Sequence, residues 1–480
     1  MEDKKKIRSG ASSVLKTVLS LTVLLASLAL FAYWGLNKQG LSVQGIIAAA
    51  LSLLMFTFGI ILLIPRAIRF FSGEAVWSAR PVGDRSSKRG RMHPVWGVML
   101  TVLAVRALII IIAYIMALVF KKMPGSIFST MRDIWVKLDT DAPHYFSIAE
   151  NGYTTEYPDM YNIVFLPLFP MLIRAFNLVF KDSFVSSLII NTLCSCGAAA
   201  VIYELALCDT GRRSAKHAVL FAFALPAAIF FIAPMSEALF LLLCSSVLLA
   251  LRRERFWLAA VLGALASFTR SVGIILLFPF VCEAIYYTVR RCKDGGKKDA
   301  GSIIVKFILC ALVMCLGTFA YLLINKLVWG EWFKFIQFQR ENWYQEPGYF
   351  FETAAMQVDQ FVMTVGVEND AALGLWLPNL LFTFGALAVF VASARTLRTS
   401  YSLYFAAYFA VTCGASWLLS APRYLTALVV LPLALAHLCE SRDDGVALAR
   451  ARAKTTVVTL ILCIGQLLYL LMYVIDYSIY

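Results

Sequence analysis

Long apolar runs separated by short polar breaks fill almost the whole chain. Apolar segments lie near 13–36, 41–64, 95–120, 183–207, 217–234, 236–251, 256–271, 273–289, 303–328, 373–394, 401–419, 423–439 and 455–477. Runs near ~20 residues match the ~30 Å hydrocarbon core of a bilayer, where only a helix satisfies all of its own backbone polar groups. The pattern therefore predicts an all-α, polytopic membrane protein of about thirteen transmembrane helices, with an uncertainty of about two.

The polar breaks predict topology. Basic clusters occur in the N-terminal KKKIR, at Arg66, Arg69, Arg80, Arg85, Lys88, Arg89 and Arg91, then in GRRSAK, RRER, RRCKDGGKK, at Arg395 and Arg398, and in RARAK. Lys and Arg are enriched in cytoplasmic loops, so these breaks are expected inside. If 161–180, with Pro167, Pro170 and Arg174, were a further crossing, GRRSAK and every later basic loop would face outward. That segment is instead expected to lie on the outer surface as an interfacial or re-entrant element. The start, MEDKKKIRSG followed by a long apolar run without a small-residue cleavage site, reads as a retained signal anchor with its N-terminus inside. The C-terminus is then outside, and two long loops face out, 121–182 and 329–372.

Composition adds exclusions. The chain of 480 residues is 60% apolar and 15% charged, with a formal net charge of +14. The positive residues sit between apolar segments rather than along one soluble face, which argues for topology signals and against nucleic acid. None of the eleven cysteines falls in an outer loop, and no CxxC or zinc spacing exists, so no disulfide is expected. No Walker A or GxGxxG motif and no internal repeat is present, which removes support for ATP-driven transport. Three regions follow: residues 1–94, a transmembrane hairpin and basic loop; 95–440, the membrane core with both outer loops; and 441–480, a basic loop and final helix.

Candidate chemistry concentrates between Trp135 and Pro170, WVKLDTDAPHYFSIAENGYTTEYPDMYNIVFLPLFP, where acids, a histidine and tyrosines border the membrane. Of the four histidines, His93, His217 and His437 map inside and His144 outside. In a helix Asp141 and His144 share a face at i, i+3, with Asp139 close by. Glu237, Arg270 and Arg423 recur at outer ends of apolar segments. Each alone also reads as a snorkelling anchor. Together, an acidic loop and two arginines suit an anionic phosphate substrate and a deprotonated acceptor hydroxyl.

DAPHYFSIAENGY followed by FLPLFPMLIR resembles the signature of PIG-V-like mannosyltransferases, and SEALF, TRSVGI and PRYL resemble that family's later motifs in the same order. The resemblance covers about 95 to 440. It implies a GT-C glycosyltransferase, a multispanning enzyme that takes a sugar from a polyprenyl-phosphate donor on the non-cytoplasmic face, with surface-lying helices in the first large outer loop. It assigns Asp141 as catalytic base, Asp139 as its rival because Thr140 replaces a frequent tryptophan, and His144 and Tyr145 as sugar- or phosphate-orienting groups. Arg270 and Arg423 would hold the donor phosphate, with Tyr424 beside them, and Glu237 would pair with an arginine or contact the sugar.

The implied reaction is hexose transfer with inversion, mannose first and glucose or arabinose as alternatives, to a glycolipid or lipid-anchored cell-envelope glycan. Asp139, Asp141 and His144 are the ligands of a divalent ion, Mg or Mn, if one is used, though so small a set is weak for either. Trp329, Trp332, Phe333, Phe335, Trp343 and Tyr344 in the second outer loop form either an acceptor platform or an aromatic belt. The expected location is a bacterial plasma membrane rather than the endoplasmic reticulum. Alternatives are a lipid-linked glycan flippase or transporter, which should show interrupted helices and mid-membrane charges, or a non-catalytic subunit of a glycan-assembly complex.

Overall fold

The computed structural model describes residues 2–38, 40, 42–74, 94–137, 140–295, 299–440, 446–477 and 479. Arg80, Arg85, Lys88, Arg89, Arg91, His93 and Asp139 lie outside the described residues. Two antiparallel helices, α1 (Glu2–Asn37) and α2 (Val43–Phe71), precede α3 (Pro94–Met116), which ends in a π-helical turn to Lys121. The long segment that follows folds into α4 (Ile127–Trp135), α5 (Ala142–Asn151), a 3-10 turn (Asp159–Val164) and α6 (Leu168–Phe180). Then come α7 (Ser183–Leu207), α8 (Arg212–Ala224), α9 (Glu237–Arg252), α10 (Phe256–Thr269), α11 (Leu277–Lys293) and α12 (Ala300–Trp329). The segment after α12 carries α13 (Lys334–Trp343) and α14 (Phe350–Thr364), and α15 (Asn369–Ala371) runs through a π turn into α16 (Leu377–Ser393). The chain closes with α17 (Thr399–Thr412), α18 (Ala421–Thr426), α19 (Val430–Leu438) and α20 (Val446–Val474).

Among the described residues, eight helices are long and apolar enough to cross a membrane: 13–37, 43–71, 94–121, 183–207, 271–293, 300–329, 369–393 and 448–474. The expectation of about thirteen spans is not confirmed. The remaining five apolar segments form short or broken helices, α8 with 13 residues, α9 with 16, α10 with 14, α17 with 14, and α18 and α19 with 6 and 9. Hydropathy registers apolar residues but not helix continuity, and Pro226, Pro234, Pro422 and Pro432 interrupt these runs. α6, at 13 residues, reaches about 20 Å at 1.5 Å per residue, short of a hydrocarbon core.

A broken helix in an apolar core frees backbone carbonyls that neighbouring side chains must satisfy. Around residues 223–236, three spans provide donors. Gln466 of α20 donates to Phe223 O at 3.0 Å and Leu225 O at 3.3 Å. Arg106 of α3 donates to Phe231 O at 2.6 Å and also holds Ser195 Oγ at 2.9 Å and Thr192 Oγ1 at 3.1 Å. Asn191 of α7 donates to Ala233 O and, at 3.1 Å, to Met235 O. Asn379 of α16 does the same ahead of α18, accepting from Ala421 N at 2.8 Å and donating to Leu419 O at 3.0 Å. The breaks are fixed structures, and they end at Glu237 and just before Arg423.

Close helix contacts set the third break. A Cβ on Gly317 of α12 would sit 1.9 Å from Ala264 O, so a glycine here lets α12 press backbone-close against α10. After α10, Arg270 takes an extended backbone conformation (φ −147°, ψ 140°) and a 3-10 turn follows. Gly273 N donates to Arg270 O at 2.8 Å, and a Cβ on Gly273 would lie 2.4 Å from the Ala266 backbone. The TRSVGI run thus needs a glycine for the turn that projects Arg270.

Candidate active site

Asp141 begins α5, and Pro143 in the first turn has the fixed φ that a helix start accepts. Its carboxylate does not cap the helix. It receives a hydrogen bond from Arg423 Nη2 instead. Arg423 Nε donates to Glu237 Oε1 at 2.7 Å, and Arg270 Nη1 donates to the same oxygen at 2.5 Å. Arg270 Nη1 also reaches Ser236 Oγ at 3.2 Å, and Ser236 Oγ meets Tyr145 OH at 3.0 Å. The Arg270 guanidinium lies 4.9 Å from the Tyr424 ring centroid, and that of Arg423 lies 5.4 Å from Phe230.

Six of the residues singled out from sequence therefore form one connected network: Asp141, Tyr145, Glu237, Arg270, Arg423 and Tyr424. Two carboxylates face two guanidiniums, so charge is balanced where burial would make an excess costly. Exposure separates the two acids. The Glu237 side chain is 1% exposed and that of Asp141 24%, so Asp141 is the more accessible of the two carboxylates. Glu237 Oε2 has no hydrogen-bond partner among the described residues.

Burial acts to raise the Asp141 carboxyl, but the Arg423 guanidinium, its hydrogen bond and Arg270 outweigh it and hold the group below the ordinary carboxylate range. Burial and the Asp141 charge push the Tyr145 phenol well above its usual value. Tyr145 is consequently a neutral hydroxyl, and Asp141 the ionised group that can accept a proton.

Among the described residues, His144 takes no hydrogen bond from this network but packs on Phe165, which Tyr145 also meets at 5.4 Å. Its Nδ1 lies 2.7 Å from Asn162 Oδ1, its ring stacks on Phe165 at 4.7 Å and 16°, and Trp343 meets it edge-on at 6.4 Å. The shared face predicted for Asp141 and His144 thus divides between two sets of partners. No group of three His, Cys, Asp or Glu able to hold a metal occurs among the described residues.

Residues of α13 reach the first segment's 3-10 turn, Phe338 meeting Tyr161 at 5.1 Å. Trp343 packs against Phe165 at 5.8 Å and Tyr161 at 6.4 Å. Trp329 packs on Phe338, Trp332 on Phe319 and Phe335 on Tyr321, while Phe333 and Tyr344 are exposed. The sequence reading missed Ser236, Asn162 and the carbonyl-binding Arg106, Asn191, Asn379 and Gln466. Polar side chains inside apolar runs were the available signal for the last four.

Residues 98–330 match the sequence profile of the family described as Mannosyltransferase (PIG-V). Similar curated proteins include "GPI alpha-1,6-mannosyltransferase 2" of Cricetulus griseus, 35% identical over 147 residues, 28% of this chain and 29% of that protein. The Homo sapiens protein of the same name is 33% identical over 147 residues, again 28% of this chain and 29% of the relative. The aligned stretch thus spans less than a third of these relatives' length. No solved structure matches the chain. The expectation of a bacterial plasma membrane finds no support in these relatives. The matched region contains Asp141, His144, Tyr145, Glu237 and Arg270 in the motif order read from the sequence, and over residues 98–330 this multi-pass membrane chain is similar to the PIG-V mannosyltransferase family.

Proposed function

We propose that the protein is a membrane mannosyltransferase that moves mannose from a polyprenyl-phosphate donor to a hydroxyl of a glycolipid or lipid-anchored glycan, on the non-cytoplasmic face and with inversion. The observation that carries this reading is the network itself: a partly exposed carboxylate, Asp141, joined to Arg423 and through Glu237 to Arg270. Asp141 takes the proton of the acceptor hydroxyl as that oxygen attacks the anomeric carbon. The bond from that carbon to the phosphate oxygen breaks, and the lipid phosphate leaves with the electron pair. Arg423 and Arg270 stand ready for the charge that grows on it.

The resting contacts suggest an order of events. While Arg423 holds Asp141, the carboxylate is a weak base. A donor phosphate that competes for the Arg423 N–H groups relieves Asp141 and raises its proton affinity, so the base becomes competent once the donor is bound. Glu237 keeps both guanidiniums in place throughout.

A second reading has its own supporting observation. The sequence argued against a flippase because its ionisable residues gather at the ends of apolar segments, yet interrupted helices, the other feature expected of a transporter, occur at 225–236, at 270–276 and between α17 and α18. The deciding experiment uses purified full-length protein in nanodiscs, or in liposomes for flipping, with polyprenyl-phosphate-mannose and a glycolipid acceptor. Transfer of labelled mannose supports the proposal. No transfer from any lipid-linked hexose, together with movement of labelled lipid across the bilayer, would establish the flippase.

A further inference from the structure

Asn162 is 1% exposed in the 3-10 turn between α5 and α6. Its Nδ2 donates to Asp159 Oδ1 at 2.9 Å and to Ser147 Oγ at 3.2 Å, and its Oδ1 lies 2.7 Å from His144 Nδ1. A carboxylate only accepts hydrogen bonds, so the atom facing Asp159 must be the amide nitrogen. The atom facing His144 is then the amide oxygen, which also only accepts. His144 Nδ1 must carry a proton. In a neutral imidazole the other nitrogen, Nε2, is left with a lone pair.

The ring is also held in place, with its face on Phe165 and its edge toward Trp343. Nε2 makes no hydrogen bond among the described residues. We propose that Asp159 and Asn162 lock His144 as the Nδ1–H tautomer, so that Nε2 accepts a hydrogen bond from a hydroxyl of the hexose or of the carbohydrate acceptor. Asn162 is on this account a positioning residue, acting through His144. The neighbouring Trp343, half-buried on α13, offers an aromatic surface of the kind sugars pack against. The choice of a carbohydrate hydroxyl rests on the proposed transferase function, whereas the tautomer follows from the hydrogen bonds alone.

The test is nitrogen NMR of full-length protein labelled at its four histidines, in nanodiscs at a pH where imidazole is neutral, with His144 assigned by His144→Gln. Wild type should show a protonated Nδ1 and a bare Nε2, and the Nε2 resonance should move when polyprenyl-phosphate-mannose or the glycolipid acceptor is added. Asn162→Leu should release the tautomer preference and raise KM for one of the two substrates about tenfold, the scale of one lost hydrogen bond. A protonated Nε2 in wild type overturns the tautomer lock. An unchanged tautomer in a folded Asn162→Leu removes Asn162 from the role, and a released tautomer with unchanged KM values overturns hydroxyl recognition. Because the tautomer is read without turnover, failure of the transferase reading remains distinguishable from failure of the lock.

Discussion

Arg423 Nη2 donates a hydrogen bond to Asp141 Oδ2, joining two residues 282 positions apart in the chain. One lies at the start of α5, between α3 and α7, and the other in a six-residue helix after a break. The pair brings the acidic loop and the PRYL motif to one point, and its consequences can be measured.

Acid stability should depend on this pair. The folded Asp141 carboxyl ionises below its ordinary range because Arg423 outweighs burial. A depressed folded value means the stabilisation is complete above the unfolded pKa of about 3.9 and is lost as pH falls through the folded value. Burial is similarly outweighed at Asp182 by the Val185 N–H and Arg132, and at Asp476 by Lys121 and Lys137. The informative quantity is therefore the difference between wild type and Asp141→Asn. The variant should lose stability at neutral pH and show a flatter acid decline in thermal melts; parallel curves would dissociate Asp141 from the effect.

Transfer should be more sensitive to Asp141 than binding is. Asp141→Asn keeps the size and a hydrogen-bonding side chain but cannot take the acceptor proton, so kcat should fall by roughly 10²–10⁴. Donor KM should change far less. Full turnover in the variant would move the base to another residue, with Asp139 the next to substitute.

Glu237 should matter for folding more than any other acid in the network. Its Oε1 receives both Arg270 and Arg423. Glu237→Leu leaves two buried cations with only the Asp141 carboxylate between them, and breaking a buried pair costs about 3–5 kcal/mol. Detergent melts should show a large drop in Tm. Arg423→Lys, which cannot bridge both carboxylates with a planar fork, should lower kcat/KM with a smaller loss of Tm.

Gly317→Val tests the helix contact behind Arg270. The added atoms meet Ala264 O at α10, while Gly385 has open space around it. Overpacking of about 1–3 kcal/mol is expected at position 317 and little at Gly385→Ala. Equal melting of the two variants would mean that α10 and α12 do not approach as described.

Sidedness can be read by single-cysteine labelling at Thr155→Cys and Arg212→Cys with native thiols blocked. Both positions are exposed, and the 25-residue helix α7 lies between them. With α6 too short to cross, the two should label from opposite faces. The same accessibility would make α6 part of a crossing.

The motifs around Asp141, Glu237, Arg270 and Arg423 were legible because their residue types and order are local properties of the chain. Hydrophobic runs likewise marked where helices lie. Their number as full crossings was not legible, since a run such as 217–234 is equally apolar whether continuous or broken at Pro226. The spacing that placed His144 near Asp141 could not show its partners: Asn162, 18 residues on, and Phe165, which Tyr145 also meets, fix its ring.

By itself, then, the sequence determined a helical membrane protein with its acids and arginines in a recognisable order, because hydropathy and motif spacing are written along one dimension. Tertiary structure decided which of those charges meet. Glu237, Arg270 and Arg423 sit at three separate helix breaks, and their convergence on Asp141 depends on donors from α3, α7, α16 and α20 that satisfy freed carbonyls at two of the breaks, and on the glycine turn at the third. Those hydrogen bonds and close backbone contacts join residues far apart in the chain, and no local pattern specifies them.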